Sequence, residues 1–158
     1  MQERNRPNGC CQPSGSMHLS CPAYALYYQV GTLFNTAAGG SIDITQTEAE
    51  TAGAFYTDGS QVQILHPGTY YIRYTVNIPA ETTLTTTFAL QANRQTIDGT
   101  SRSIAKTGVD TPSAVIGETI LEVCSPVAVR VVSSTLLDIT GEAEEDVLAS
   151  LFIQQLGK

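Results

Sequence analysis

The stretch Gly68-Thr69-Tyr70-Tyr71-Ile72-Arg73-Tyr74-Thr75-Val76-Asn77-Ile78-Pro79 constrains the fold more than any other part of the chain. From Thr69 its side chains alternate strictly. Tyr70, Ile72, Tyr74, Val76 and Ile78 fall on one face, and Thr69, Tyr71, Arg73, Thr75 and Asn77 on the other. A period of two marks a strand with one face buried; on a helix the same residues would scatter around the whole circumference. Pro79 closes the strand because proline has no N–H to give to a ladder. So long a strand needs partners, and the rest of the chain must supply a sheet.

The partners are legible as short β-prone runs between turn signals. Tyr24 to Val30, Ser41 to Thr45, Val62 to Leu65, Thr82 to Ile97, Ser101 to Thr107, Ser113 to Val123, Val127 to Val132 and Val147 to Leu156 read as strands. Gly31, Gly39-Gly40, Asp58-Gly59, His66-Pro67-Gly68, Asp98-Gly99, Gly108, Pro112 and Cys124-Ser125-Pro126 separate them. The abundance of Thr and Val suits a pleated surface. No segment shows a helical period, and no internal repeat is present. About eight to ten short strands predict an all-β antiparallel sandwich or barrel. At 158 residues the chain is one domain's worth, able to bury about 70% of its unfolded surface without disulfides or metal.

Residues 1 to 22 depart from this pattern. Pro7, Gly9, Pro13, Gly15 and Pro22 are spread among Asn and Ser, with no apolar period. The segment reads as an extended connector arm, with the folded domain at 23–158. Arg4 and Arg6 against Glu3 give the arm +1, so the remainder of the −7 chain carries −8. That balance argues against a phosphate-tracking nucleic-acid binder and against anionic lipid. No apolar run approaches the roughly 18 residues of a membrane span, and the first residues lack the apolar core of a secretory signal.

The last strand is apolar on both faces. Leu148, Phe152 and Leu156 point one way, and Val147, Ala149, Leu151 and Ile153 the other. An outer strand of a sandwich ordinarily has one polar face. Covering both needs the core on one side and, on the other, a neighbouring subunit or a loop of the same chain. The tyrosines of the two best strands (Tyr24, Tyr27, Tyr28, Tyr70, Tyr71 and Tyr74) read as packing and interface residues, since each pairs an apolar ring with a hydroxyl suited to a boundary.

Catalytic chemistry finds little purchase, and no catalytic residue, metal ligand or cofactor is assigned. The only histidines are His18, in the arm, and His66, in a Pro-Gly turn. Cys124 beside Pro126 reads as a small buried apolar residue rather than a nucleophile paired with His66. Zinc on Cys10, Cys11, Cys21 and His18 is disfavoured because adjacent cysteines strain to reach one tetrahedral centre. Glu142, Glu144, Glu145 and Asp146 lack the spacing of a calcium loop, so Asp138 to Asp146 reads as a solvated acidic loop. The threonines of Thr82 to Thr87 read as an exposed strand start, with O-linked sugar as the alternative. The chain is read as a non-enzyme.

Gly68-Thr69-Tyr70-Tyr71-Ile72-Arg73-Tyr74-Thr75-Val76 resembles a strand motif of tumour-necrosis-factor-like and complement-head-like domains. Ala149-Ser150-Leu151-Phe152-Ile153-Gln154-Gln155-Leu156-Gly157 is similar to their last strand. Asn35-Thr36, Gly40-Ser41-Ile42 and Thr119-Ile120-Leu121-Glu122-Val123 fit the same pattern, which runs from about Ala23 to Gly157. Bacterial forms cap the collagen-like glycoproteins of spore surfaces. Two departures stand out: Cys124-Ser125-Pro126 replaces a Gly-containing turn, and no collagen stalk precedes the domain. Instead Cys10-Cys11 followed by Cys21 resembles the connector of endospore appendage subunits.

The resemblance implies a jelly-roll sandwich assembled as a homotrimer, with Tyr70, Tyr71, Tyr74, Leu151, Phe152 and Ile153 as interface candidates. It also implies a structural subunit of a spore-surface fibre, an exosporium hair or appendage. Partners would be neighbouring trimers, joined through the arms, and a surface anchor or tip protein. The alternative is a trimeric head that binds a receptor, a glycan or another fibre. Cys10, Cys11, Cys21 and Cys124 are the cross-link candidates. Vicinal cysteines pair poorly with each other, which leaves Cys21 or Cys124 of a neighbour, Cys21 of the same chain, or no partner.

Overall fold

The computed structural model describes residues 12–14, 18–20 and 22–157. In chain order the strands are β1 (Gln12–Ser14), β2 (His18–Ser20), β3 (Tyr24–Val30), β4 (Thr32–Phe34), β5 (Gln46–Glu50), β6 (Phe55–Thr57), β7 (Val62–Ile64), β8 (Gly68–Ile78), β9 (Leu84–Ala92), β10 (Gln95–Thr96), β11 (Arg102–Lys106), β12 (Ser113–Val123), β13 (Val127–Ser133), β14 (Asp138–Thr140) and β15 (Val147–Gly157). No helix occurs among the described residues, so none is long and apolar enough to cross a membrane.

A five-stranded sheet runs β12-β8-β15-β3-β5, and a six-stranded sheet runs β10-β9-β13-β7-β6 with β11 also on β9. Every pairing is antiparallel. β14 pairs with β4, and β1 with β2 in a hairpin that folds part of the arm back on itself. The predicted inner face of β8 is the centre of the core: Tyr70, Ile72, Tyr74, Val76 and Ile78 are all fully buried. Phe88 and Leu90 of β9, Val129 and Val131 of β13 and Ile64 of β7 meet them from the other sheet.

Tyr74 shows how tight this core is. Its hydroxyl lies 2.8 Å from the Thr100 carbonyl and 3.1 Å from that of Phe88, so the phenol bridges the sheets and its proton is satisfied. The ring lies over Gly117, its cross-strand partner on β12. A Cβ there would sit 2.2 Å from a ring carbon of Tyr74, a separation real side chains do not tolerate. Burial pushes the Tyr74 phenol up to about 12, because the ring's anion has lost its water.

Four differences from the sequence expectation have physical causes. The run Thr82 to Ile97 is broken at Asn93-Arg94, which adopt φ of 48° and 68° and close a two-residue hairpin between β9 and β10. Such turns advertise themselves as Asn-Gly; here Arg occupies the second position, and the Asn93 side chain is held by the Ala128 N–H at 3.1 Å. Ser41 to Thr45 keeps its alternating burial but forms only isolated bridges, because its partner changes from residue to residue: Ile42 N–H bonds Val131 O, Asp43 N–H bonds Phe34 O and Ile44 N–H bonds Gly59 O. β5 escaped notice because Gln-Thr-Glu-Ala-Glu is an exposed edge with no apolar face. Asp138–Thr140 belongs to β14, which shortens the acidic loop to residues 141–146.

Candidate functional site

The outer face of the five-stranded sheet is the site that the sequence pattern points to. Cross-strand register sets its side chains in rows. One row is Ile120, Tyr71, Gln154 and Tyr24; the next is Glu118, Arg73, Phe152, Leu26 and Ala49. A third is Ile116, Thr75, Ser150 and Tyr28. Ile120 is 64% exposed and Tyr24 49%, and Leu156 and Ile116 are exposed beside them. Leu26, Tyr28, Tyr71 and Phe152 are half-buried. Apolar side chains from four strands thus share the outer surface with Gln154, Glu118, Arg73, Thr75 and Ser150, and the face is more apolar than a solvated sheet face ordinarily is.

Two contacts order the middle of this face. The Tyr71 ring meets Phe152 edge-on, centroids 6.3 Å apart. Its hydroxyl donates to Glu118 Oε2 at 2.6 Å. That hydrogen bond to the carboxylate is the main cause holding the Tyr71 phenol above its ordinary value, because it favours the protonated form. Leu26, Tyr71, Arg73, Thr75, Ser150 and Phe152 surround a shallow depression in the face. Arg73 is the only cation in these rows.

Of the six interface candidates, Tyr71 and Phe152 stand on this face. Tyr70, Tyr74, Leu151 and Ile153 point between the sheets and are buried within one subunit. Ile116, Ile120, Tyr24 and Leu26 take their place as apolar residues that a partner can meet. Their signal was present: Ile116 and Ile120 alternate with Glu118 and Glu122, but which side of that strand faced solvent was undetermined until β12 was placed at the sheet edge. Leu148 also changes sides. A register shift between Val147 and Ala149 turns both Leu148 and Ala149 inward.

Cys124 is exposed and has no disulfide partner among the described residues; its exposure corrects the expectation of a buried thiol. It follows Val123, the residue paired with Gly68 at the end of the sheet, and Ser125 and Pro126 carry it into solvent. The other cross-link candidates, Cys10, Cys11 and Cys21, lie outside the described residues. His66 places Nε2 3.1 Å from the Gly53 carbonyl, so its ring is engaged with the backbone. Among the described residues no group of three His, Cys, Asp or Glu side chains is placed to hold a metal.

No family model matches the sequence, and no curated protein matches it. Solved structures do match. Eiger TNF from S. frugiperda superposes with a TM-score of 0.62 at 14% identity, over 85% of this chain and 93% of that one. Murine APRIL gives 0.60 at 11% identity, over 85% and 99%. The globular domain of zebrafish complement 1qA gives 0.57 at 11% identity, over 85% and 96%. The fold is the tumour-necrosis-factor-like jelly roll. At such identities the likeness concerns architecture, and the apolar outer face is a property of this chain's own residues.

Proposed function

We propose that this protein is the structural subunit of a self-assembling spore-surface fibre, in which homotrimeric jelly rolls are joined by their N-terminal arms. The observation that carries the proposal is the apolar outer face of the five-stranded sheet. Covering Ile120, Tyr24, Leu26, Tyr71 and Phe152 removes apolar area from water at about 25 cal/mol per Å². Exposed apolar side chains grouped on one face mark an interaction surface. The trimer follows from the resemblance to tumour-necrosis-factor-like and complement-head domains, and the spore surface (exosporium or appendage) from the cysteine pattern of the arm.

Light scattering on the full chain in reductant tests the trimer: the expected mass is three times the 16.8 kDa chain, and a stable monomer overturns it. Negative-stain microscopy without reductant tests the fibre. Polymers of variable length that shorten on reduction support it. Discrete trimers that never polymerise favour the receptor- or glycan-binding head instead.

A further inference from the structure

The five-stranded sheet has two unlike ends. At one, β3 begins and β15 finishes beside the start of β8. The arm therefore joins the domain at this end, and Lys158 follows Gly157 there in sequence. At the other end β8 stops at Pro79, and β12 and β15 begin. The loops meeting there carry Glu81, Asp110, Glu142, Glu144, Glu145 and Asp146. Glu81 N–H bonds the Val109 carbonyl at 2.9 Å, tying two of the loops together. Lys106 is buried, with its ammonium on that same carbonyl at 3.1 Å.

Between these loops lies a depression of about 230 Å³. Pro79, Pro112 and Val147 supply its apolar lining, and Glu142 and Asp146 its carboxylates. Asn77, also in the lining, spends its amide on Val147 O at 2.8 Å, and one Asp146 oxygen accepts the Ala143 N–H at 2.8 Å.

We infer that this depression receives the basic start of the arm, Arg4-Asn5-Arg6-Pro7, from a second copy stacked end to end. The inference rests on the fibre reading and names the receptor that the reading lacks. Charge selects the occupant: of the chain's eight Lys and Arg residues, Arg4 and Arg6 lie in the arm and face a domain whose far end carries carboxylates. Arginine stems pack on apolar side chains while the guanidinium fork meets carboxylates, which matches a lining of both kinds. Topology selects the copy. The arm leaves the domain where β3 begins, at the end of the sheet opposite the depression, so in an end-to-end stack the arm of one unit adjoins the depression of the next.

The probe is a fluorescein-labelled peptide of residues 1–9, which contains no cysteine, titrated into the full chain in reductant and followed by anisotropy. Saturable binding is expected, weakening at least about threefold when salt rises from about 50 to about 300 mM. Glu142→Lys with Asp110→Lys, both exposed positions, should weaken it about tenfold. The Arg4→Glu/Arg6→Glu peptide should bind that variant better than it binds wild type. No binding of the wild-type peptide, or binding indifferent to the lysine substitutions, overturns the inference. Microscopy separates the two claims. Full-length Arg4→Glu/Arg6→Glu that still forms fibres of normal length sinks this docking and leaves the fibre standing; wild type that never polymerises sinks the fibre.

Discussion

The two sheets of this sandwich differ most on their outer faces. The five-stranded sheet shows water a run of Ile, Tyr, Leu and Phe. The six-stranded sheet shows Thr85, Thr87, Ser103, Gln91, Arg130 and Gln63, with Tyr56 exposed at its edge, and satisfies many of the polar groups internally. Thr87 and Ser103 hydroxyls are 2.8 Å apart across β9 and β11. Gln91 Oε1 accepts both Arg130 Nε at 2.9 Å and Nη2 at 2.8 Å. One face is mostly polar and hydrogen-bonded to itself; the other leaves large apolar side chains exposed. The same fold supports both because the inner faces alone hold the sandwich together, leaving each outer face free to follow its own chemistry.

Phe152→Asp should break the contrast most sharply. In the proposed trimer a carboxylate there must be desolvated, with the cross-strand Arg73 as its one cationic neighbour in these rows, so association should weaken at least about tenfold, read by sedimentation at micromolar concentration. Thr87→Asp, an equal charge on the other sheet, should leave the mass unchanged; loss of assembly in both would mean that the faces are not distinct.

Within β12 the inner and outer sides should differ in stability rather than assembly. Gly117→Ala forces the Tyr74 ring to move and should cost about 3 kcal/mol in denaturant unfolding, in the range of overpacked cores. Its exposed neighbour Glu118→Ala should cost under about 1 kcal/mol, since it removes only a surface hydrogen bond to Tyr71.

Alkaline pH should test the buried phenols. The folded form holds the Tyr74 proton up to about pH 12, against an ordinary phenol value of 10.0. Tyr27 is likewise pushed up, first by burial and then by its hydrogen bond to Glu50. A group whose folded value is raised contributes its full stability below the unfolded value and loses it as pH climbs through the folded one. Stability should therefore hold to about pH 10 and fall steeply above it, by about 3 kcal/mol for Tyr74 alone. A melting temperature that stays flat to pH 12 would contradict the burial.

The smallest effect sharpens the comparison from the polar side. Gln91→Ala leaves Arg130 without its acceptor and should cost about 1 kcal/mol with no change in oligomeric state.

Much of this was legible in the chain. The alternation from Thr69 to Ile78 sorted the two faces of β8 correctly, residue by residue, because strand geometry fixes which side chains share a face, yet Tyr70 and Tyr74 of the buried face were also read as interface candidates. The end points of β12 came from Pro112 and the Cys-Ser-Pro break. The candidate face was only half legible: Tyr71 and Phe152 were named beside four residues that turned out to be core. In a strand apolar on both sides, periodicity separates the two sets but does not say which one looks inward.

The sequence by itself determined the all-β architecture, the central strand and the apolar character of both faces of β15. Periodicity, turn residues and composition are local quantities, and local sterics enforce them. Only the tertiary structure decided which side of β15 meets the other sheet, that the register shift after Val147 draws Leu148 inside, and that Cys124 stands in solvent. It also placed the acidic loop at the end of the sheet opposite the arm. Burial depends on neighbours brought from distant parts of the chain: Phe152 lies between Leu26 and Arg73, and no window along the sequence contains all three.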